Sequence, residues 1–133
     1  MFEIKMGSEH LDEHTVIRLL NHTYWAGDRP KDLIQNSIQH SDCFSVWKEK
    51  EMIGFARVVT DRTTFAYLCD VVIDPRHRGK GIGKKLMTHM LNCDSYKKKI
   101  RWFLATKDAH GLYRQYGFEP INQDPKYMIK EVE

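Results

Sequence analysis

The feature that most constrains the fold is a basic, glycine-rich segment placed directly after an apolar run. Residues 71–73 are apolar, Asp74-Pro75 ends the run, and Arg78-Gly79-Lys80-Gly81-Ile82-Gly83 leads into a segment with apolar residues at helical spacing. Glycines allow backbone amides to approach a ligand closely, and a helix N-terminus attracts anions. The segment predicts a buried strand, a turn that can bind a pyrophosphate, and a helix. A tight turn with a solvated basic face is the alternative.

The other periodic patterns predict a mixed α/β order rather than regular β-α-β crossovers. Strand-like runs occupy residues 2–6, 43–47, 52–60, 64–73, 100–105 and 127–132. Helical spacing begins after Ser8 or Asp12, at Pro30, after the glycines and at Asp108, and Gly117 can end the last helix in a left-handed conformation. Three consecutive strands in this order argue against a doubly wound fold.

Composition is that of an ordinary soluble globular protein. The 133 residues suit one domain across 1–133, 41% are hydrophobic and 29% charged, and no apolar run reaches the length of a membrane span. The first residues lack the long apolar run of a secretory signal, so a cytoplasmic location is expected. Cys43, Cys69 and Cys93 form no CxxC pair and the histidines show no metal-ligand spacing, so neither disulfides nor a metal site are expected.

Two sequence motifs carry a family resemblance. The loop lacks both G-x-x-x-x-G-K-[ST] and G-x-G-x-x-G, which argues against two common nucleotide folds. Residues 78–83, R-G-K-G-I-G, match the R/Q-x-x-G-x-G/A pattern of the GNAT acetyltransferases, and residues 109–118, A-H-G-L-Y-R-Q-Y-G-F, resemble their A-x-x-L-Y-x-x-x-G-F signature. The resemblance implies an α/β (mixed α+β) fold, with a central, mostly antiparallel, splayed mixed sheet of six to seven strands and about four helices.

The resemblance also implies acetyl-CoA as the cosubstrate bound at the glycine loop. In the family, loop amides bind the CoA pyrophosphate and the preceding strand pairs its backbone with the pantetheine arm. In this sequence those positions are Arg78, Gly79, Lys80, Gly81, Ile82, Gly83 and Lys84 for the pyrophosphate, and Val71, Val72 and Ile73 for the pantetheine. Thr106 stands where many members carry an asparagine near the pantetheine, and its hydroxyl can still form hydrogen bonds.

The catalytic candidates are a tyrosine and an aspartate. Tyr113, the tyrosine of the second motif, is the implied acid that protonates the departing thiolate, and helix packing is its alternative role. The attacking amine must be neutral, and Asp70 is the candidate base because it is the one carboxylate in an apolar strand. Alternatively, Asp70 pairs with an arginine or points to solvent. Cys69 in the same strand is interpreted as a small core residue rather than a nucleophile.

The acceptor pocket is expected at the connection between the first two helices, as in the family. Tyr24, Trp25 and Arg29 are the candidate substrate contacts, for a ring, a cation or a carboxylate, and a core role is the alternative for Trp25. The predicted reaction is direct transfer, in a ternary complex, from acetyl-CoA to a primary amine of a small molecule or peptide. The alternative function is a non-catalytic acyl-CoA-binding sensor module.

Other partners are assessed from charge and from the expected sheet. The net charge of +3 is too small to indicate nucleic acid by itself, and the run Lys97-Lys98-Lys99 is better explained as a solvated loop. Neither a nucleic-acid nor a membrane partner is therefore expected. An exposed sheet edge, common in such folds, could pair into a homodimer.

Overall fold

The structure, a computed structural model, describes residues 1–121 and 127–131. The strands are β1 (Glu3–Met6), β2 (Asp42–Lys48), β3 (Glu51–Thr60), β4 (Phe65–Ile73) and β5 (Arg101–Leu104). The helices are α1 (Glu13–Asn21), α2 (Lys31–Gln39), α3 (Ile82–Leu91) and α4 (His110–Arg114), with short 3-10 turns at Ser8–His10 and Pro75–His77. The predicted order of elements is confirmed from β1 to α4.

The described strands form one sheet in the order β1-β2-β3-β4-β5, in which β4 and β5 are parallel and the other pairs antiparallel. This confirms the mixed, mostly antiparallel fold, but the described residues hold five strands rather than six to seven. Residues 127–131 of the last predicted strand are not in a strand, and Val132 lies outside the described residues. Met128 and Ile129 are 94% and 83% exposed, so no sheet face packs against them to stabilise a strand.

Helices cover both faces of the sheet, and the apolar spacing of each helix decides its buried side. On one face, the buried residues of α1 and α2 are Val16, Leu19, Leu20, Ile34 and Ile38. On the other face, α3 buries Ile82, Leu86, Met87 and Met90. Each set recurs at three- to four-residue spacing, and full burial of a Leu or Ile contributes about 1.5–3 kcal/mol. None of the helices in the described ranges is long and apolar enough to cross a bilayer.

A bulge in β4 creates the bend and the opening that define the site. The β3–β4 register passes from Arg57 opposite Cys69 to Phe55 opposite Val72, so β4 carries one extra residue there. Asp70 lies in this bulge with a φ of 55°, and the shift in alternation places Leu68 and Val72 on opposite faces of the sheet. Within the described residues β5 pairs with β4 as far as Leu68, so the strands separate beyond that point. The predicted splay of the sheet is therefore present.

Candidate active site

One cavity of about 900 Å³ opens between the separated ends of β4 and β5, the N-terminus of α3 and the α1–α2 loop. It is lined by every residue that the sequence predicted to bind cofactor, to bind substrate or to act in catalysis, except Lys80. The lining candidates are Tyr24, Trp25, Arg29, Asp70, Val71, Val72, Ile73, Arg78, Gly79, Gly81, Ile82, Gly83, Lys84, Thr106 and Tyr113. Segments that are distant in sequence thus meet at one site, and the role of each residue stays a prediction.

The glycine loop has the local geometry of an anion-binding cradle. Gly79 and Gly81 have φ values of 79° and 76°, a left-handed conformation that costs other L-residues about 1–2 kcal/mol. Gly81 directly precedes α3, whose first amides have no intrahelical acceptors. A Cβ added at Gly79 or Gly81 would meet no atom of the described chain within 4 Å. The space over the loop is therefore open, and a pyrophosphate group fits these residues.

A buried carboxylate, Asp74, holds the short turn between β4 and the glycine loop, and no role in the site was predicted for it from the sequence. Asp74 is 1% exposed and accepts hydrogen bonds from the backbone N–H of Arg76 (3.0 Å), from Arg76 Nη2 (2.9 Å) and from Arg18 Nη2 (3.4 Å). The hydrogen bonds from Arg76, supported by Arg18, hold the pKa of Asp74 well below its usual range. The signal in the sequence was an Asp-Pro pair at the end of an apolar run.

The free edge of β4 leads from this loop into the cavity. Val72 and Ile73 pair with β3 on one side, and the other side faces the gap left by β5 within the described part of the chain. Val72 is buried, and Val71 and Ile73 pack partly against the core. The side chains are therefore structural, as expected, and the backbone on the open side is available to a ligand.

Asp70 is held by three donors from two neighbouring segments. Its carboxylate accepts hydrogen bonds from Trp25 Nε1 (2.9 Å), Arg29 Nη1 (2.8 Å) and Arg57 Nε (3.0 Å). Burial alone would raise the pKa of Asp70, but the hydrogen bond from Arg29 and the charges of both arginines outweigh burial and lower it. The structure thus shows the arginine-paired alternative. Because a charged carboxylate with both oxygens engaged is a weak proton acceptor, these contacts favour a positioning role over that of general base.

Arg57 is a site residue that the sequence analysis missed. It lies in β3, donates through Nε to Asp70 and through Nη1 to Ser41 Oγ (3.0 Å), and its side chain is 14% exposed. A charge inside the apolar run 52–60 was the available signal, since the same argument identified Asp70. No motif marks Arg57, because it approaches Asp70 through the pairing of β3 with β4 rather than through sequence order.

We expect Asp70→Asn to lower the free energy of unfolding by about 3 kcal/mol at neutral pH, since it deprives two mostly buried arginines of their carboxylate. The folded pKa of Asp70 is lowered, so its stabilisation is present above about pH 4 and is lost as the pH falls through the folded pKa. Denaturant unfolding of the wild type and of Asp70→Asn measures the difference in their free energies of unfolding. We expect this difference to be smaller at about pH 3 than at neutral pH.

The control for this prediction is Glu51→Gln, which removes an exposed carboxylate paired with Arg76. An exposed ion pair contributes under about 1 kcal/mol, so this variant should unfold close to the wild type. The interpretation of a buried ion pair would be contradicted if both variants lost the same free energy of unfolding. It would also be contradicted if the loss in Asp70→Asn did not change with pH.

The α1–α2 loop supplies one end of the cavity, which we call the acceptor end and define by Tyr24, Trp25, Arg29, Arg57 and Asp70. Trp25 is 43% exposed and donates to Asp70, so it is not a core anchor. The ring of Tyr24 meets that of Trp25 edge-on, with centroids 5.1 Å apart, and its hydroxyl accepts a hydrogen bond from the Lys107 N–H (3.3 Å). Tyr24 therefore bridges the α1–α2 loop and the β5–α4 loop.

Tyr113 presents a protonated hydroxyl to the cavity. Its ring packs edge-on against Phe118 with centroids 6.0 Å apart, and in the described part of the chain no group forms a hydrogen bond with its hydroxyl. Burial raises the pKa of Tyr113, and the proximity of Tyr24 and Asp108 raises it further. The hydroxyl therefore keeps its proton at neutral pH and can donate it to a ligand, which is the state that a general acid requires.

The helix that carries Tyr113 is shorter than predicted. It spans His110–Arg114 rather than 108–116, and Asp108 does not cap it. The Oγ1 of Thr106 accepts the backbone N–H of Ala109 instead (3.0 Å), which still leaves the Thr106 hydroxyl a proton to donate within the cavity. Gly117 has a φ of 91°, which confirms the predicted left-handed conformation after the helix.

The interpretation of Cys69 as a core residue is wrong. The bulge at Asp70 leaves Cys69 partly exposed and places it along the cavity. Burial raises the pKa of the Cys69 thiol more than the nearby charge of Arg57 lowers it, so the thiol stays protonated at neutral pH. A protonated thiol is a poor nucleophile, and Cys69 has no chemical feature of a covalent acyl carrier.

Proteins that resemble this chain in sequence and in structure include members of one enzyme family. A family model described as an acetyltransferase (GNAT) domain matches residues 39–120. A solved structure from Xanthomonas campestris pv. campestris, assigned to the GNAT acetyltransferases, is 39% identical with a TM-score of 0.93, covering 99% of this chain and 94% of that chain. A structure from Clostridium acetobutylicum that contains acetyl-CoA is 14% identical with a TM-score of 0.72, covering 98% and 96% of the two chains, and supports the fold alone.

A curated relative supports the same assignment over part of its length. A protein of Gibberella zeae, assigned as an acetyltransferase, is 32% identical over 68% of this chain, which spans 62% of the length of that relative. The splayed sheet, the glycine cradle and these likenesses all agree with one family. The chain belongs to the GNAT family of acetyltransferases.

Proposed function

We propose that this protein transfers an acetyl group from acetyl-CoA to a primary amine of a small molecule or peptide. The observation that carries the proposal is that one cavity is lined by the glycine cradle, by the edge of β4 beyond Leu68 and by Tyr113. Among the described residues that edge has no partner strand, and the hydroxyl of Tyr113 forms no hydrogen bond. Family membership agrees with the proposal, and acetyl-CoA is present in the related fold from Clostridium acetobutylicum. The primary amine as acceptor, and the residues that contact it, are part of this proposal.

The cradle and the strand would bind successive parts of the cosubstrate. The amides of Ile82, Gly83 and Lys84 at the start of α3 would bind the pyrophosphate, because they lack intrahelical acceptors and lie at the positive end of the helix dipole. The open edge of β4 at residues 71–73 would hydrogen-bond the pantetheine arm, and Thr106 would add a side-chain hydroxyl on the facing wall. This arrangement would direct the thioester towards Tyr113 and the acceptor end.

The chemistry requires two proton losses from the nitrogen and one proton gain by the sulfur. Acetyl-CoA would supply the acetyl group as a thioester, whose carbon–sulfur bond breaks as the amine nitrogen bonds to the acetyl carbon. The ammonium group would lose one proton to solvent before the attack, and the nitrogen would lose a second proton to solvent as the tetrahedral intermediate collapses to the amide. The Tyr113 hydroxyl would donate its proton to the departing sulfur and regain a proton from solvent. We therefore expect the rate to rise with pH through the pKa of the amine rather than near that of Asp70, whose pKa is lowered. The protonated thiol of Cys69 supports direct transfer over an acyl-enzyme.

Calorimetric titration with acetyl-CoA, followed by thiol release over a panel of aromatic amines, polyamines, amino acids and peptides, tests this function. Binding together with amine-dependent thiol release is the expected result. Binding without release from any amine would favour the sensor alternative. Failure to bind acetyl-CoA at all would remove the assignment of the glycine cradle to CoA.

A further inference from the structure

We propose that the acceptor amine carries a carboxylate close to its reacting nitrogen, and that Arg29 and Arg57 bind this carboxylate. The inference rests on the proposed function and names the substrate class of the same site. It follows from the charges, the unused hydrogen-bond donors and the fixed geometry of the acceptor end.

The acceptor end holds one more positive than negative charge. The guanidinium groups of Arg29 and Arg57 share one carboxylate, that of Asp70, so one positive charge is left without a counter-charge there. Asp108 is the other carboxylate among the described lining residues, and it belongs to the β5–α4 loop next to Tyr113. An acceptor with several ammonium groups would meet a surplus of positive charge, whereas an anionic group would neutralise it.

Most guanidinium donors at the acceptor end are not used by the protein. A guanidinium has five N–H donors. Among the described residues, Arg29 uses one for Asp70, and Arg57 uses one for Asp70 and one for Ser41. Both arginine side chains line the cavity, where they are 24% and 14% exposed. Charged donors that are partly removed from water bind a carboxylate more strongly than the same groups on an open surface.

Asp70 holds these donors in place before a ligand binds. Its left-handed φ of 55° costs about 1–3 kcal/mol in a residue other than glycine, and three hydrogen bonds to its carboxylate maintain it. Asp70 also directly precedes the free edge of β4 at residues 71–73, where the pantetheine is proposed to lie. A carboxylate bound to Arg29 and Arg57 would therefore sit next to the place of transfer, which requires it to be close to the reacting amine.

The test compares acceptors that differ in this one charge. Phenylalanine, phenylalaninamide and phenethylamine are offered with acetyl-CoA, as is a Gly-Phe dipeptide with a free or amidated C-terminus. Rates are compared at equal concentrations of neutral amine, because an amide lowers the pKa of the neighbouring amine. We expect kcat/KM for phenylalanine to exceed that for its amide and for phenethylamine by about tenfold or more. Preference for the free-acid dipeptide over both its amide and phenylalanine would overturn the inference, because the carboxylate of the dipeptide lies farther from the reacting amine.

Variants connect the preference to the arginines. Arg29→Gln should reduce the acid-to-amide ratio of kcat/KM to near one, and Arg29→Lys should retain part of it because the charge remains. Both should bind acetyl-CoA with the wild-type Kd. The matched control is Arg62→Gln, which removes an arginine paired with Asp42 outside the cavity and should leave the ratio unchanged.

The outcomes separate this inference from the proposed function. If amines are acetylated but kcat/KM for the amide equals or exceeds that for the free acid, the carboxylate assignment is overturned and the proposed acetyltransferase function stands. Absence of both acetyl-CoA binding and transfer defeats the proposed function instead. If no acceptor turns over, calorimetric titration of the acid and amide pairs into the protein, with and without CoA, decides the matter: tighter binding of the acid supports the inference and equal affinity overturns it.

Discussion

Gly81→Asp should weaken acetyl-CoA binding by about 10³-fold while leaving the protein folded. The new carboxylate would lie at the start of α3, where the pyrophosphate is proposed to bind. Two unit charges of like sign at about 4 Å repel by about 4 kcal/mol at the effective dielectric of a protein surface, which corresponds to about 10³-fold in Kd. The space around this position is open within the described chain, so the new side chain would extend into the cavity region rather than into the core. Calorimetry with acetyl-CoA measures the change.

The chain offers a matched control for this variant. Gly117 has a φ of 91°, similar to the 76° of Gly81, and a Cβ there would likewise meet no described atom within 4 Å. Gly117 does not line the cavity. Gly117→Asp should therefore carry the same backbone strain and the same charge change and bind acetyl-CoA as the wild type does. Equal loss of binding in both variants would attribute the effect to strain, and unchanged binding in Gly81→Asp would remove the loop from the cofactor site.

Tyr113→Phe should lower kcat by about 10²–10³-fold and change the Kd for acetyl-CoA by less than about threefold. The substitution keeps the ring against Phe118 and removes the proton that the leaving sulfur is proposed to receive. Because burial raises the pKa of Tyr113, the wild-type rate should not fall on the alkaline side until the pH exceeds about 10, the ordinary pKa of tyrosine. Steady-state kinetics across pH measure the effect on kcat, and calorimetry with acetyl-CoA measures the effect on Kd.

Tyr96→Phe is the control for the loss of a buried phenol. The Tyr96 hydroxyl donates to Asp42 (3.0 Å) away from the cavity, so this variant should lose about 1 kcal/mol of stability and retain the wild-type kcat. A kcat for Tyr113→Phe that equals that of Tyr96→Phe would rule out Tyr113 as the acid. Such a result would favour helix packing, the other role considered for this tyrosine.

The sequence was informative where structure is decided by neighbours along the chain. The glycine loop and α3 could be predicted because left-handed glycines, a helix start and apolar spacing are properties of consecutive residues. Gly117 was correctly predicted for the same reason. The end of the chain was less predictable: alternating residues after 127 were interpreted as a strand, but a strand also needs a partner edge and a packed face, and residues 127–131 do not form one.

The acceptor end shows what depends on tertiary structure. The residues alone predicted a glycine-rich turn before a helix, the apolar faces of the helices and one charge, Asp70, in an apolar strand. The sequence could not determine that Arg57 faces Asp70, because that contact arises from the register of β3 against β4. Nor could it determine that a bulge turns Asp70 and Cys69 towards the cavity, since one extra residue in a strand reverses the side-chain alternation and is set by the paired strand. The tertiary structure therefore decided the charge state and surroundings of the site, because electrostatic neighbours are defined by distance in space.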